Sequence, residues 1–240
     1  MEFYDVIFKR KSIRHYKETP LDDARLEEIL QYSRALTPLF PEIKTSFGII
    51  KNESVNGLFA IDAPQYLAFY SEEKESHYLN AGFLMQQMDL YLSATGLGAC
   101  WLGMAKPRMK EKDGLAFIMM FAFGEPNQTL HRKDVSEFKR KPLAEVAEGG
   151  DGRLEAAWLA PSAANAQPWF FSCSDGAVDV FRVKLNPVKA AVFDRLNLID
   201  SGIALCHLKV ATEHMGKPFS FAQTPEKSKK GYQYIGTVLS

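Results

Sequence analysis

Runs of apolar residues along the chain follow two different patterns, one helical and one strand-like. Residues 77–95 are apolar nearly all round, and a second long helical stretch lies at 200–215, so we expect two buried central helices. The continuous apolar run at 115–123 is typical of a strand buried on both faces. Shorter runs bounded by turn residues predict further strands at 47–51, 65–70, 169–174, 177–183 and 232–239. The pattern therefore predicts an α+β fold in which helices cover mostly antiparallel sheets.

Capping residues predict where the smaller elements begin and end. Thr19, Pro20 and Asp22 suit a helix start, because threonine caps, proline fits the first turn and an acid three residues on reaches back. We expect this helix to end near Leu36, and a loop to join the first two strands. The glycine-rich segment 149–152 should break the corresponding helix in the second half of the chain.

The second half of the chain repeats features of the first half at an offset of about 120 residues. The recurring pairs, in the same order in both halves, are Pro20-Leu21 and Pro142-Leu143, Thr37-Pro38 and Ala160-Pro161, Asn80-Ala81-Gly82 and Asp200-Ser201-Gly202, Gly96 and Gly216, and Gly114 and Gly231. Unrelated halves could share helix-ending glycines, but five features in one order favour internal duplication. Two copies of one fold pack naturally about a two-fold axis. We therefore expect repeats at 1–130 and 141–240, a linker at 131–140, and a ligand between the repeats.

The composition is that of an ordinary globular protein. The 240 residues are 46% hydrophobic and 24% charged, enough for one large domain or two small ones. Lys plus Arg equals Asp plus Glu at 29 each, so no overall field favours nucleic acid or an anionic membrane as a partner. No signal peptide or membrane-length apolar run is evident, which predicts a cytoplasmic protein. Cys100, Cys173 and Cys206 lack metal-ligand spacing and are typical of reduced, mostly buried thiols.

A basic motif near the N-terminus is the first candidate for ligand binding. Arg10-Lys11-Ser12-Ile13-Arg14 brings two guanidiniums, an ammonium and a hydroxyl within five residues, a set that can surround one phosphate. The plain alternative is a solvated basic turn. The choice between them depends on what else lies nearby in the fold.

Two further segments combine small residues with hydrogen-bonding groups. The loop at 160–169 contains Ser162, Asn165 and Gln167, which could read the polar edge of a flat heterocycle; otherwise it is a proline-bounded connector between helix and strand. The glycine-rich segment 96–103 could place backbone N–H groups against a cofactor, or simply end a helix and turn. The sequence contains no metal-binding histidine pair, Ser-His-Asp order, Walker loop or Rossmann glycine pattern.

In combination, these segments resemble the FMN-dependent nitroreductase family. The resemblance extends over nearly the whole chain, and its supporting segments are Leu97-Gly98-Ala99-Cys100-Trp101-Leu102-Gly103, Phe123-Gly124-Glu125-Pro126 and Lys139-Arg140-Lys141-Pro142-Leu143. It implies an oxidoreductase in which NAD(P)H gives a hydride to FMN and leaves. An electron-poor small molecule, of the nitroaromatic or quinone type, then takes its place. In this ping-pong mechanism the chemistry occurs on FMN, and no catalytic side chain or metal is assigned.

The resemblance also implies which residues contact the cofactor. Those expected at the FMN phosphate are Arg10, Ser12, Arg14, Lys139 and Lys141. Those expected along the isoalloxazine or ribityl groups, from the second half of the chain, are Pro161, Ser162, Asn165 and Gln167. Lys11 would contact the uracil edge of the flavin or its ribityl chain. Leu102 and Gly103 would lie near the reactive flavin nitrogen, where a backbone N–H can donate.

One departure from the family bears on the architecture. In usual members the loop corresponding to 160–169 follows the basic motif within the same half, and the protein is a homodimer with two flavins in its interface. Here the corresponding residues, 36–41, contain neither Asn nor Gln. The chain thus resembles such a dimer fused into one polypeptide, with one FMN between two pseudo-symmetric repeats and no partner chain needed to complete the site. A non-catalytic flavin-binding module, or a pseudoenzyme without flavin, stays open as an alternative.

Overall fold

The computed structural model describes residues 2–51, 55–57, 61–223 and 225–240. The helices are α1 (Tyr4–Ile7), α2 (Asp23–Arg34), α3 (His77–Ala94), α4 (Leu143–Val146), α5 (Arg153–Trp158) and α6 (Pro187–His214). The strands are β1 (Thr45–Lys51), β2 (Val55–Gly57), β3 (Gln65–Ser71), β4 (Gly98–Leu102), β5 (Ala105–Pro107), β6 (Glu111–Lys112), β7 (Leu115–Gly124), β8 (Ala147–Glu148), β9 (Trp169–Ser174), β10 (Ala177–Val183), β11 (Ser220–Ala222) and β12 (Tyr232–Leu239). The loop predicted between the first two strands falls partly on 52–54 and 58–60, outside the described residues.

The strands form two larger sheets and one two-stranded ribbon. The first sheet has the order β1-β3-β7-β4, with β6 added to β7, and the second has the order β11-β12-β10-β9-β8. Among the described pairings, the short contact between β8 and β9 is parallel and the others are antiparallel. The two sheets share one connectivity. In each, two adjacent strands (β1 and β3, or β9 and β10) precede a long helix (α3 or α6). The last strand of the sheet along the chain (β7 or β12) then pairs with the second of those two strands. The predicted α+β fold with antiparallel sheets is confirmed.

The two long helices α3 and α6 pack directly against each other through glycines. A Cβ atom on Gly82 would lie 2.0 Å from the carbonyl oxygen of Ile199. A Cβ atom on Gly202 would lie 2.1 Å from the carbonyl oxygen of Leu79. Such distances leave no room for a side chain, so the backbones of the two helices touch at both positions. The contact is reciprocal, because the glycine of each helix meets the residue three positions before the glycine of the other helix.

A polar residue near each of these glycines holds a loop. The Asn80 side-chain oxygen accepts hydrogen bonds from the backbone N–H groups of Leu39 at 2.9 Å and Phe40 at 3.2 Å. The two carboxyl oxygens of Asp200 lie 3.1 and 3.2 Å from the backbone nitrogen of Ala163. Asn80 and Asp200 each lie two residues before the glycine of their helix. Each therefore fixes the loop that leads into the first strand of its sheet.

The start of α2 differs from the prediction. We expected Thr19 to cap this helix, but it begins at Asp23, and the Asp22 carboxylate accepts a hydrogen bond from the Arg25 N–H at 2.8 Å. An aspartate at the N-cap satisfies a backbone donor that would otherwise lack a partner. The helix then ends at Arg34, close to the predicted end. The six predicted strands are all present, with ends within two residues of those expected.

The second central helix is longer than predicted, and one glycine-rich segment is a strand. Helix α6 begins at Pro187 rather than near residue 200, because Asn186 caps it by accepting a hydrogen bond from Lys189 N–H at 2.9 Å. Its first turns carry apolar side chains that are exposed, such as Val188 and Val192. These turns therefore lack the alternation of a buried apolar face and an exposed polar face from which a helix is predicted. Within the glycine-rich segment 96–103, for which we considered a cofactor contact or a helix end followed by a turn, residues Gly98–Leu102 form β4, which pairs with β7.

Substitution of Gly202 by alanine should disrupt the helix contact. We expect Gly202→Ala to lower the free energy of unfolding by about 1–3 kcal/mol or more, since 1–3 kcal/mol is the usual cost of overpacking. The loss of stability is expected although alanine has a higher helix propensity than glycine. Urea denaturation measures the change. Gly150→Ala is the control, because an added Cβ there meets no atom within 4 Å. A Gly202→Ala midpoint equal to that of the control would contradict the close approach of the two backbones.

Candidate functional site

A cavity of about 780 Å³ lies among residues of the N-terminal motif, β4, the 161–168 loop and α6. Its size is typical of sites for small molecules and cofactors. Its polar and charged lining residues are Ser12, Arg14, Lys141, Ser162, Lys189, Asn197 and Asp200. Much of the remaining wall is apolar and includes Trp101, Met119, Phe193, Leu196 and Ile203. The predicted location between the two halves of the chain thus contains a space lined by residues from both.

The basic motif is held against β4 by its central residue. The Ile13 side chain is fully buried, and a Cβ atom on Gly98 would lie 2.6 Å from it. The Ile13 N–H donates to the carbonyl oxygen of Ala99 at 3.0 Å. With Ile13 fixed in the protein interior, its neighbours Ser12 and Arg14 line the cavity. Gly98 therefore makes room for the motif, because any side chain at this position would overlap that of Ile13.

Arg10, the first residue of the motif, has a different position. It is only 2% exposed, does not line the cavity, and its Nε lies 3.2 Å from a carboxylate oxygen of Asp89. The same oxygen accepts a hydrogen bond from the Trp101 indole at 3.4 Å. Burial raises the pKa of Asp89, and the Arg10 guanidinium opposes that shift. The Nη2 atom of Arg10 is buried and has no hydrogen-bond partner among the described residues.

The two amide side chains of the 161–168 loop bind the linker. Asn165 donates a hydrogen bond to the Lys139 carbonyl oxygen at 2.9 Å, and its own oxygen accepts one from Arg140. The Gln167 side-chain oxygen accepts the Lys141 N–H at 2.9 Å. Neither amide is among the residues that line the cavity. Both amide side chains therefore join the loop to residues 139–141 by hydrogen bonds. The sequence alone does not predict these hydrogen bonds.

The expected cofactor-binding residues, including those already described, divide into two groups. Those that line the cavity are Ser12, Arg14, Gly103, Lys141, Pro161 and Ser162. Those that do not are Arg10, Lys11, Leu102, Lys139, Asn165 and Gln167. Leu102 is buried at the end of β4, next to Gly103. Lys141 donates its ammonium hydrogen to the Ala166 carbonyl oxygen at 2.8 Å, so it also supports the loop.

The main residues that we did not predict come from α6 and β4. Lys189, Asn197 and Asp200 line the cavity from α6, and Cys100 and Trp101 line it from β4. The first part of α6 was missed because its start was placed too late. Asp200 was noted only as the opening of a helix. The usable signal was a carboxylate within an otherwise apolar helical stretch, which is rarely buried without a purpose.

Asp200 has an unusual electrostatic environment. It is 3% exposed and forms no ion pair with any residue in the described part of the chain. Burial raises the pKa of this carboxyl to about 8, and the hydrogen bond from Ala163 opposes part of the shift. A protonated Asp200 leaves Arg14, Lys141 and Lys189 as the charged groups lining the cavity. The cavity is therefore suited to an anionic ligand with a flat or apolar body.

The described residues offer neither a metal site nor a membrane-spanning helix. No cluster of three or more His, Cys, Asp or Glu that could hold a metal ion occurs among the described residues. No helix in the described ranges has the length and hydropathy needed to cross a membrane.

The chain is similar to known proteins over most of its length. A family model described as "Putative TM nitroreductase" matches residues 2–212. A solved structure from Thermotoga maritima MSB8 with a similar description has 21% sequence identity and a TM-score of 0.65, and the match covers 99% of this chain and 92% of that one. A nitroreductase family protein from Clostridium difficile 630 has 18% identity and a TM-score of 0.49, with 60% and 94% covered. An FMN-dependent nitroreductase from Clostridium difficile R20291 has 16% identity and a TM-score of 0.43, with 57% and 94% covered. No curated protein matches the chain.

The structural likeness to the Thermotoga maritima protein concerns the fold alone, because the identity is low. The family model, in contrast, matches the sequence itself from the basic motif through the 161–168 loop and most of α6. On that match, the chain belongs to the nitroreductase family.

Proposed function

We propose that this protein is an FMN-dependent oxidoreductase that takes a hydride from NAD(P)H and reduces an electron-poor small molecule, such as a nitroaromatic compound or a quinone. The observation that carries the proposal is the cavity that contains Ser12, Arg14 and Lys141 together with apolar walls. Membership of the nitroreductase family supports the same cofactor. When bound, FMN would supply the two-electron chemistry between the nicotinamide and the acceptor.

The residues of the cavity fit FMN. A phosphate dianion needs several charge-assisted donors, and Arg14, Lys141 and the Ser12 hydroxyl provide them. Arg10, whose buried Nη2 has no hydrogen-bond partner among the described residues, belongs to the same motif as Ser12 and Arg14. Lys139 precedes Lys141 by two residues and stays a proposed phosphate contact. The isoalloxazine ring needs flat apolar walls and close backbone approach. An added Cβ on Gly103 would meet only Leu196, at 3.7 Å, so the backbone there is open to the cavity.

The remaining residues would orient the cofactor. Gly103 and the neighbouring Leu102 would place backbone groups near the reactive flavin nitrogen. Pro161 and Ser162 would contact the ring or ribityl chain, and Lys11 remains the proposed contact for its uracil edge. Asn165 and Gln167 would hold the loop in position. Release of their amide groups when FMN binds would let them contact the ring or ribityl chain. Because one cavity serves both the nicotinamide and the acceptor, they would bind in turn, as in a ping-pong mechanism.

We further propose that the chain is a fused pseudo-dimer with repeats at 1–130 and 141–240 joined by a linker at 131–140. Three observations support this: the shared strand order of the two sheets, the reciprocal contact of Gly82 and Gly202, and the matching roles of Asn80 and Asp200. A partner chain is then not needed to complete the site.

Two aromatic side chains lie at the proposed pseudo-symmetric counterpart of the cavity. Trp101 and Ala163 line the cavity, and by the proposed repeat their counterparts in the other half are Phe221 and the Phe40 region. Phe40 and Phe221 contact each other edge to face, with ring centroids 6.1 Å apart. Large rings at this place would leave little space for a second flavin. This supports a single FMN per chain.

Spectroscopy of the purified protein tests the proposed function. We expect FMN to bind, and NADH or NADPH to bleach its absorbance under anaerobic conditions. Addition of nitrobenzene or p-benzoquinone should then restore the oxidised spectrum. Bound flavin that neither nicotinamide reduces would indicate a flavin-binding module instead. Failure to bind flavin at all would indicate a protein with another role.

Replacement of Arg14 should weaken FMN binding through the phosphate. We expect Arg14→Ala to raise the Kd for FMN by about tenfold or more, because a charge-assisted hydrogen bond contributes about 1.5–3 kcal/mol. Riboflavin, which lacks the phosphate, should bind wild type and variant with similar, weaker affinity. Flavin fluorescence titration measures all four constants. Replacement of Arg108, an exposed arginine outside the cavity, by alanine is the matched control. Equal affinity of the wild type for FMN and riboflavin would place the motif outside the site.

The stoichiometry tests the pseudo-dimer. We expect one FMN per polypeptide, bound by a protein that retains its flavin when it is diluted to the monomer. Flavin released by denaturation and quantified by absorbance gives the ratio, and light scattering gives the mass. Two flavins per chain, or loss of flavin when a dimer dissociates, would contradict the proposal.

A further inference from the structure

We propose that Asp200 is the catalytic acid of this site, and that its carboxyl group delivers a proton to the acceptor while the acceptor is being reduced. The proposal rests on the proposed flavin-dependent function. It adds a protein group to chemistry that would otherwise draw its proton from water alone.

The position of Asp200 is suited to this role. Asp200 lies on α6, lines the cavity, and is almost completely buried. Its two carboxyl oxygens share a single donor, the Ala163 N–H, at 3.1 and 3.2 Å. One N–H can satisfy only one oxygen well. This single donor cannot satisfy both oxygens, so the carboxyl group keeps the capacity to carry a proton.

The charged surroundings leave Asp200 as the available acid. The other titratable groups that line the cavity are Arg14 from the motif, Lys141 from the linker, Lys189 from α6 itself and Cys100 from β4. Helix α3 meets α6 near this point through Leu79, Gly82 and Phe83, which carry no charge. Asp200 is the one carboxyl group among the described lining residues. Burial raises its pKa to about 8, so the carboxyl keeps its proton at neutral pH.

The first half of the chain shows that an acid is not required for the structural role. Asn80 occupies the corresponding position on α3, and its amide oxygen accepts the N–H groups of Leu39 and Phe40. An amide thus holds the equivalent loop without any titratable group. A buried carboxyl at Asp200 is costly by comparison. The difference between the two positions coincides with the difference between a cavity and the contact of Phe40 with Phe221.

The proton balances the reduction of a nitro group. One hydride, with its two electrons, and one proton convert a nitro compound into a nitroso compound and water. A bound flavin would supply the hydride, and with it both electrons, to the nitro group. A nitrogen–oxygen bond of the acceptor breaks, and the hydride hydrogen and the proton both end in the released water. The Asp200 O–H bond breaks as its proton passes to the departing oxygen, which leaves as water. The resulting carboxylate then recovers a proton from solvent.

Half-reactions of the flavin-loaded protein separate this role from a structural one. Asp200→Asn keeps an oxygen that can accept the Ala163 N–H, as Asn80 does in the other half. Reduction of the flavin by NADH or NADPH requires no acid and should change by less than about twofold. Reoxidation by nitrobenzene should slow about 100-fold, in the range typical of general acids. Reoxidation by ferricyanide, which accepts electrons without a proton, should be unchanged.

The pH dependence provides a second readout. In the wild type, the rate of reoxidation by nitrobenzene should fall above about pH 8 as Asp200 loses its proton. In Asp200→Asn the rate should be slow and independent of pH across the same range. Asp175→Asn, an exposed acid in the turn between β9 and β10, is the matched control and should behave as the wild type.

Infrared spectroscopy provides a readout that does not depend on activity. The wild-type protein at neutral pH should show the C=O band of a protonated carboxyl that Asp200→Asn lacks, and the band should disappear above about pH 8. Absence of the band overturns the proposal. A variant that nitrobenzene reoxidises at the wild-type rate overturns it as well, but leaves the proposed function in place. Equal slowing with nitrobenzene and ferricyanide assigns Asp200 a structural role. A protein that binds no flavin overturns both proposals.

Discussion

The direct contact between the backbones of α3 and α6 is the constraint on which the rest of the structure depends. Gly82 and Gly202 allow it, because each faces a carbonyl group of the opposite helix at a distance that excludes any side chain. Both helices are buried over much of their length. Residues of both helices therefore belong to the main hydrophobic core, on which the sheets pack. Close packing through glycine is the usual way to bring two helices within backbone contact.

The same contact positions the polar residues that shape the loops. Asn80 and Asp200 precede the two glycines and hold the loops that enter β1 and β9. In one half the loop carries Phe40, which packs on Phe221, and in the other half it carries small residues that border a cavity. The two loops therefore differ in side-chain size, although each is held by a polar residue two positions before the glycine of its helix.

The cavity in turn depends on segments that are far apart in the sequence. The motif at 10–14 rests on β4 through Ile13 and Gly98, and Arg10 is tied to Asp89 on α3. Residues 139–141 are held to the 161–168 loop by hydrogen bonds with Asn165 and Gln167. Arg14 and Lys141, which are far apart in the sequence, therefore line the same cavity. Their convergence explains how a basic turn with little meaning by itself becomes part of a cationic cavity wall.

The sequence by itself determined the elements whose burial is continuous. The strands β1, β3, β7, β9, β10 and β12 and the helix α3 were predicted because long apolar runs and their bounding turns report local burial. The basic motif and the 160–169 loop were also recognised from residue types alone. Ser12, Arg14, Pro161 and Ser162, which the sequence singled out, line the cavity.

Only the tertiary structure decided how these parts meet. The exposed first turns of α6 and the short strand β4 carry weak local signals, because their conformation is fixed by capping and by pairing with β7. The partner of Arg10 is Asp89, and the partners of Asn165 lie in the linker, so no local pattern reveals them. Asp200 is an ordinary acid in the sequence. It becomes a buried, unpaired carboxyl with a raised pKa because distant segments remove water from around it, and burial is a property of the folded chain as a whole.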